Sequence, residues 1–357
     1  MNAQELYLAV YDDEGRKKLE RVPTHVQYIT EGFIVQYNES IMHNFKGPLF
    51  NNLYFDIPCI LGFDAIFAPF PQSFKTRRIK IKDKDGKLIK IGIDGQGKRR
   101  SSYYEGGYIK SIDILEELKA NLSEVDRSEQ ISKLLDFYDK FAPYIFPILS
   151  VEGIFDRVWQ SMGFTTFSLL FRKRDKLITE LIKFYANLLE MNLQGLINAS
   201  KGRVKIINIL DDVAYKGRPM ISPARWEQEF IPHYKKLNSI LEDAGIIPQI
   251  HTDGDATEMI PSFQKAGFRG LQGWEGGCDP AYINDKFPDF VVVGFGDVSD
   301  MLPYGTPEQI NLHVKELMDA LKENRHFILG PSTVIFKEIP LESVQIFMKA
   351  AKKYGCY

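Results

Sequence analysis

Val204-Lys-Ile-Ile-Asn-Ile-Leu-Asp-Asp212 is a short β-rich apolar run that ends in two carboxylates. Ser222-Pro223 follows it as an N-cap and N1 proline for a helix predicted through Trp226, Phe230 and Leu237. The same grammar then repeats to the end of the chain. Ile246 to Ile250 reads as a strand ending in His251-Thr-Asp253-Gly-Asp255, with a helix from about Ala256 to Ala266. Phe268 to Gly273 ends at Trp274-Glu275. Phe290 to Phe295 ends at Asp297, and Thr306-Pro-Glu-Gln309 is a capping box for the next helix. Phe327 to Gly330 ends at Ser332-Thr333, before a last helix from Leu341 to Lys353.

Upstream of Val204, three more runs fit the pattern: Val22 to Tyr28 after an amphipathic opening helix, Asp64 to Phe67, and Ile145 to Val151 ending at Glu152-Gly153. Strands alternating with helical segments to a count of about eight define a parallel (β/α)8 TIM barrel, an α/β fold. Residues 1–357 are therefore expected to form one barrel domain. A doubly wound open sheet is the alternative, but no Gly-x-Gly-x-x-Gly turn follows the first strand. A β-hairpin insertion is expected at 76–100, where Arg78 to Ile91 alternates at period two about Asp85-Gly86. The adjoining Gly95-Gln-Gly97-Lys-Arg-Arg100 reads as a connection rather than a phosphate loop.

Composition narrows the function classes. The 357 residues carry 45 Lys+Arg against 47 Asp+Glu, a net charge of -2, so no nucleic-acid partner is expected. Cys59, Cys278 and Cys356 are too few and scattered for a disulfide framework or a Cys-rich zinc module. No apolar run approaches the ~20 residues of a membrane span, and the first residues lack a secretory pattern, so a cytoplasmic, non-membrane protein is expected.

The chemistry of a barrel collects at the carboxyl ends of its strands. His251 and Asp253 are two residues apart, so on an extended strand they face the same side and can bind one divalent metal or form a proton-transfer pair. Of Asp211 and Asp212, only one can enter the mouth; the other binds the turn or pairs with Arg218. Glu275, Asp297 and Glu152 end neighbouring strands, with Cys278 close behind Glu275. So many acids around one rim call for a cation or hydrogen-bond donors. The catalytic candidates are Asp212, His251 and Asp253; the metal candidates are His251, Asp253 and Glu275, with Cys278 and Ser332 as further ligands. Tyr28, Phe70, Glu152, Tyr215 and Lys216 are the candidate substrate contacts. Between Arg21 and Lys75 the only Lys or Arg is Lys46, among eleven aromatics from Tyr28 to Phe74. Such a segment suits an apolar or aromatic ligand better than a polycarboxylate, which would want arginine forks.

Several motifs carry a family resemblance: Glu20-Arg21-Val22-Pro23, Leu61-Gly62-Phe63-Asp64-Ala65, Gly153-Ile-Phe-Asp-Arg-Val-Trp159, Asp211-Asp212-Val-Ala-Tyr-Lys216, Ile221-Ser222-Pro223, His251-x-Asp-Gly and Gly305-Thr306-Pro307-Glu308. Over nearly its full length the chain resembles the uroporphyrinogen decarboxylase superfamily, which implies a (β/α)8 barrel. One branch decarboxylates porphyrinogens with an arginine-rich N-terminal run, which is missing here. The other comprises zinc-dependent methyltransferases that exchange methyl groups with a corrinoid. There the family histidine corresponds to His251, while its two cysteine positions fall at Asp253 and near Ser332. The resemblance thus implies a methyltransferase or demethylase acting on a small substrate such as a methoxylated aromatic compound. Zinc, a corrinoid (cobalamin) methyl carrier and a corrinoid protein partner would accompany it. Carboxylate and hydroxyl in place of thiolates make a harder metal site. The alternatives are a metal-free decarboxylase or lyase with Asp212 and His251 as its acid/base pair, and a non-catalytic corrinoid or tetrapyrrole binder.

Overall fold

The computed structural model describes residues 1–43, 45, 47, 50–83, 85–97 and 106–357. Lys46 and residues 98–100 of the hairpin region lie outside them.

Eight parallel strands form one sheet in chain order: β1 His25–Val26, β2 Ala65–Ala68, β3 Phe146–Glu152, β4 Ile206–Leu210, β5 Ile247–Thr252, β6 Gly270–Gly273, β7 Val291–Gly296 and β8 Phe327–Pro331. β8 returns to β1 through parallel bridges at Thr24–Leu329 and Ile29–Ile335, so the sheet closes into a barrel. At this seam Leu329 N donates to Pro23 O at 2.9 Å and Ile335 N to Tyr28 O at 3.1 Å. The expected Val22–Tyr28 strand is thus reduced to two paired residues flanked by single bridges. β5 runs two residues further than its sequence pattern, which puts His251 and Thr252 inside the strand.

The strands read as apolar runs because both faces are covered. All six residues of β7 are buried. Outward side chains such as Ile250, Leu271 and Val292 pack under the helical ring, each stabilising the fold by roughly 1.5–3 kcal/mol on burial. Inward side chains form a second cluster in which Ala65, Phe67, Phe146, Ile148, Ile206 and Val293 meet the opening helix Ala3–Ala9. That helix closes the amino-terminal end of the barrel. Tyr7 and Tyr11 donate to Gln249 Oε1 at 3.0 and 2.5 Å, and Gln249 Nε2 donates to Asn208 Oδ1 at 2.9 Å. A polar layer therefore crosses the barrel below the rim.

The hairpin forms as Ile79–Lys82 against Leu88–Ile91. The insertion is larger than its sequence pattern suggested. Phe74–Thr76 pairs antiparallel with Leu122–Glu124, enclosing the hairpin and the helix Ile112–Ala120. Downstream of β4 the expected single helix is two, Pro223–Glu229 and Ile231–Asp243, with Pro232 in the first turn of the second. The segment after β5 is a 3₁₀ turn, Thr257–Met259, leading into Ile260–Lys265. Thr306 and Gln309 cap the helix Pro307–Leu321 reciprocally, as their spacing requires. Among the described residues no helix is long and apolar enough to cross a membrane.

Candidate metal centre

β4 and β5 lie side by side, with His251 opposite Leu210. That register carries Asp212, just past the end of β4, to the side of His251. The imidazole Nε2 lies 3.6 Å from Asp212 Oδ1 and 3.5 Å from Asp253 Oδ1. These three side chains are the one group of three or more His, Cys, Asp or Glu among the described residues with ligand atoms clustered within 4.8 Å.

The other face of the imidazole fixes its tautomer. His251 Nδ1 lies 2.5 Å from Gln272 Oε1 and 3.1 Å from Gln272 O. Both are carbonyl oxygens, so Nδ1 carries the proton, and a neutral ring then turns the Nε2 lone pair toward two carboxylates. Gln272 is held in turn by donation from its Nε2 to Ser332 O at 2.9 Å. Its sequence context, Gly-Leu-Gln-Gly within an apolar strand, carries no motif that would have marked it.

When the ring is neutral, that lone pair and the two carboxylates repel unless a cation lies between them; a metal ion there, or a proton on Nε2, removes the repulsion. At 3.5–3.6 Å the contacts are too long for N–H···O hydrogen bonds. They approach the roughly 3.3 Å separation of ligands around a tetrahedral ion with bonds of about 2.0–2.1 Å. Asp253 Oδ1 is also a buried oxygen with no hydrogen-bond partner. The residues present therefore fit a divalent metal of zinc type. Burial raises the Asp253 carboxyl to about 6; His251 opposes this rise, while Asp212 and Glu275 add to it.

Asp211 takes the opposite role from Asp212. It is wholly buried, accepting from Tyr234 Oη at 2.5 Å and from Asp156 N at 2.7 Å, and it fastens the start of the helix Ile154–Met162. Burial lifts its carboxyl to about 7 despite those donors. Arg218 makes no pair with it and instead meets the Tyr215 ring and hydroxyl.

The remaining candidates are dispersed around the rim. Glu275 Oε1 accepts from Ser332 Oγ at 2.9 Å, beside the His–Asp cluster but outside it. Cys278 turns away: its Sγ lies 3.4 Å from Asp255 Oδ1, and burial pushes the thiol up to about 12. The exposed Glu152 is paired with the mostly buried Arg157. Tyr28 is half-exposed at the mouth, its hydroxyl pKa raised by burial and then by the Asp253 charge. Phe70 is partly buried against the core, and Tyr215 is exposed. Lys216 lines a cavity on the β6 side of the rim. Most of the N-terminal aromatics are spent on packing: Phe33, Phe55, Phe63, Phe67 and Phe74 are buried. Phe55 stacks on Phe141 at 4.3 Å. Thr333 was not singled out by sequence; its hydroxyl donates to Gln27 Oε1 at 2.8 Å and holds β8 to β1 at the mouth.

A closed (β/α)8 barrel with a histidine and two carboxylates at the carboxyl end of β4 and β5 defines the class of protein. The chain belongs to the uroporphyrinogen decarboxylase (URO-D) family, whose family model matches residues 151–354. Over 299 residues it is 21% identical to the methylcobamide:CoM methyltransferase MtbA of Methanosarcina acetivorans, covering 83% of this chain and 81% of that protein. A solved methyltransferase from Methanosarcina mazei shares the fold with a TM-score of 0.65 at 16% identity, covering 99% of both chains.

Proposed function

We propose that this protein is a corrinoid-linked methyltransferase or demethylase, moving a methyl group between a small substrate and a corrinoid held by a partner protein. Asp212, His251 and Asp253 would hold a zinc ion for the reaction. The observation that carries this reading is the imidazole Nε2 facing two carboxylate oxygens at 3.5–3.6 Å. The similarity to named methyltransferases supports the branch.

Zinc bound there would act as a Lewis acid toward the heteroatom that gains or loses the methyl group. One nitrogen and two carboxylate oxygens make a hard donor set, better matched to an oxygen atom than to a thiolate. A methoxylated aromatic compound is a substrate of that kind. Gln272 keeps His251 in the tautomer that binds metal, and Ser332 holds the Glu275 carboxylate at the edge of the cluster. Tyr28 offers a hydroxyl and a ring face at the mouth. An acid/base pair of Asp212 and His251 without metal would need the 3.6 Å contact to shorten to hydrogen-bond reach when substrate binds.

Metal analysis of the purified chain, coupled to a cobalamin methyl-transfer assay, tests the proposal. The expected result is near-stoichiometric zinc that is lost in His251→Ala and Asp253→Asn, with methoxyarene-dependent methylation of cob(I)alamin that falls in parallel. A metal-free protein whose behaviour is unchanged by His251→Ala would overturn it.

A further inference from the structure

The hairpin inserted between β2 and β3 has two unlike faces. Ile79 pairs with Ile91 and Ile81 with Ile89, and this face packs on the core, with Ile79 and Ile91 buried. Alternation sends Lys80, Lys82, Leu88 and Lys90 to the other face, where all four are exposed. The hairpin is fastened to the body. Tyr185 donates to Ile93 O at 2.6 Å just past its second strand, and the helix Ile112–Ala120 packs against its first. The outer face is therefore a preformed surface, which lowers the ordering cost of binding.

That face carries charge the fold does not need. Lys80 and Lys90 are register partners, and like charges directly opposite each other weaken strand pairing. Among the described residues none of Lys75, Lys80, Lys82, Lys87 and Lys90 is ion-paired. Leu88, opposite Lys82, is 65% exposed in the midst of them.

The imbalance is local. Residues 75–91 hold eight of the chain's 45 Lys and Arg and two of its 47 Asp and Glu, a net charge of +6. The other 340 residues are therefore net -8. A nucleic acid or a membrane is an extended polyanion, and beyond the hairpin it would meet a body of its own sign. Residues 75–91 also include no aromatic side chain on which a base could stack. A folded protein can place carboxylates over the hairpin alone and cover Leu88 with an apolar side chain.

We propose that the outer face of this hairpin, Lys80, Lys82 and Lys90 around Leu88, docks an acidic patch on another protein. The claim rests neither on methyl transfer nor on zinc.

Titrations of the full chain at about 0.15 M salt test it, where long-range attraction between exposed charges is screened. The probes are a peptide of Glu-Glu-Glu-Leu repeats, polyglutamate and single-stranded DNA of the same length, and phosphatidylserine vesicles. The Leu-bearing peptide should bind more tightly than polyglutamate although it carries fewer charges, because Leu88 adds apolar contact. Lys80→Glu/Lys82→Glu/Lys90→Glu should weaken that peptide about tenfold or more. Lys18→Glu/Lys235→Glu/Lys349→Glu, which changes the net charge equally at exposed sites elsewhere, should leave its affinity within about twofold. Lys90→Glu alone sets an acid opposite Lys80, so it should weaken the peptide without lowering the unfolding midpoint. Tighter binding of polyglutamate, DNA or vesicles would overturn the proposal, as would no peptide binding or equal losses in the two triple variants. Self-association that the hairpin triple abolishes would also overturn it, by giving the face to a second copy of this chain.

Discussion

His251 and Gln272 sit opposite each other on adjacent strands, and the amide oxygen of Gln272 lies 2.5 Å from the imidazole Nδ1. The glutamine cannot rotate away, because its Nε2 donates to Ser332 O at 2.9 Å. An inward residue of β6 therefore decides which nitrogen of a β5 histidine is free at the rim.

Gln272→Leu removes that partner while keeping an apolar body of similar size in the barrel. Outer partners of metal-binding histidines contribute roughly 10–100-fold in affinity. Zinc affinity, read by competition with a chromophoric chelator, should fall within that range while the far-ultraviolet circular dichroism is unchanged. Undiminished affinity would mean that the tautomer is set by something other than Gln272.

The Asp253 carboxyl, raised by burial to about 6, makes metal uptake sensitive to pH. A proton and a metal compete for the same oxygen, so apparent zinc affinity should climb as pH rises through 6 and flatten above about 7. In Asp253→Asn the residual affinity should be lower throughout, and the part of the climb due to this carboxyl should be gone. Chelator competition at several pH values between about 5 and 8 makes the comparison. An identical pH profile in the variant would show that Asp253 is not a ligand.

The barrel was legible because buried parallel strands leave unbroken apolar runs, and each run here ends in a residue that cannot stay in a core. His251 and Asp253 were legible through period two alone, and the division of labour between Asp211 and Asp212 through the alternation of side chains. Other features depend on distant partners or on backbone that carries no local signal. Gln272 is an ordinary polar residue until the barrel closes on it. Cys278 looked like a ligand beside Glu275, but positive φ at Gly273, Trp274, Gly276 and Gly277 breaks the alternation there and leaves its thiol against Asp255. The aromatic surplus before Lys75 resembled a pocket wall. It serves mainly as core.

His25 lies inside the barrel on β1, fully buried, its ring 4.6 Å from that of Phe67, with neither nitrogen hydrogen-bonded. Burial, with a smaller contribution from His251, pushes its pKa down to about 3. The unfolded chain takes up this proton near pH 6.5 and the native state does not, so stability is complete above about 6.5. It is lost at about 1.4 kcal/mol per unit as pH falls toward 3. His25→Met removes the titrating group. Relative to the parent, it should gain about 2 kcal/mol on going from pH 8 to pH 5 in denaturant unfolding. A difference between the two proteins that is independent of pH would show that His25 titrates normally in the fold.

Tyr234→Phe and Asp212→Asn should separate the two aspartates that end β4. Tyr234 donates to the buried Asp211 carboxylate at 2.5 Å and accepts from Ile154 N at 2.7 Å, so its hydroxyl joins β4 to the helix Ile154–Met162. Removing it leaves a buried carboxylate short of a donor, a loss of roughly 1–3 kcal/mol. Because Asp211 titrates near 7 in the fold and near 4 when unfolded, its ionisation opposes folding as pH rises between those values. The Tyr234→Phe penalty should therefore be larger at pH 8.5 than at pH 5.5, where the native carboxyl is mostly protonated, and zinc affinity should be nearly unchanged. Asp212→Asn should show the reverse: unfolding within about 1 kcal/mol of the parent, as for a half-exposed side chain, and a large loss of zinc affinity. If both variants lost zinc equally, the pair would be acting as one structural unit, and Asp212 would not be a ligand in its own right.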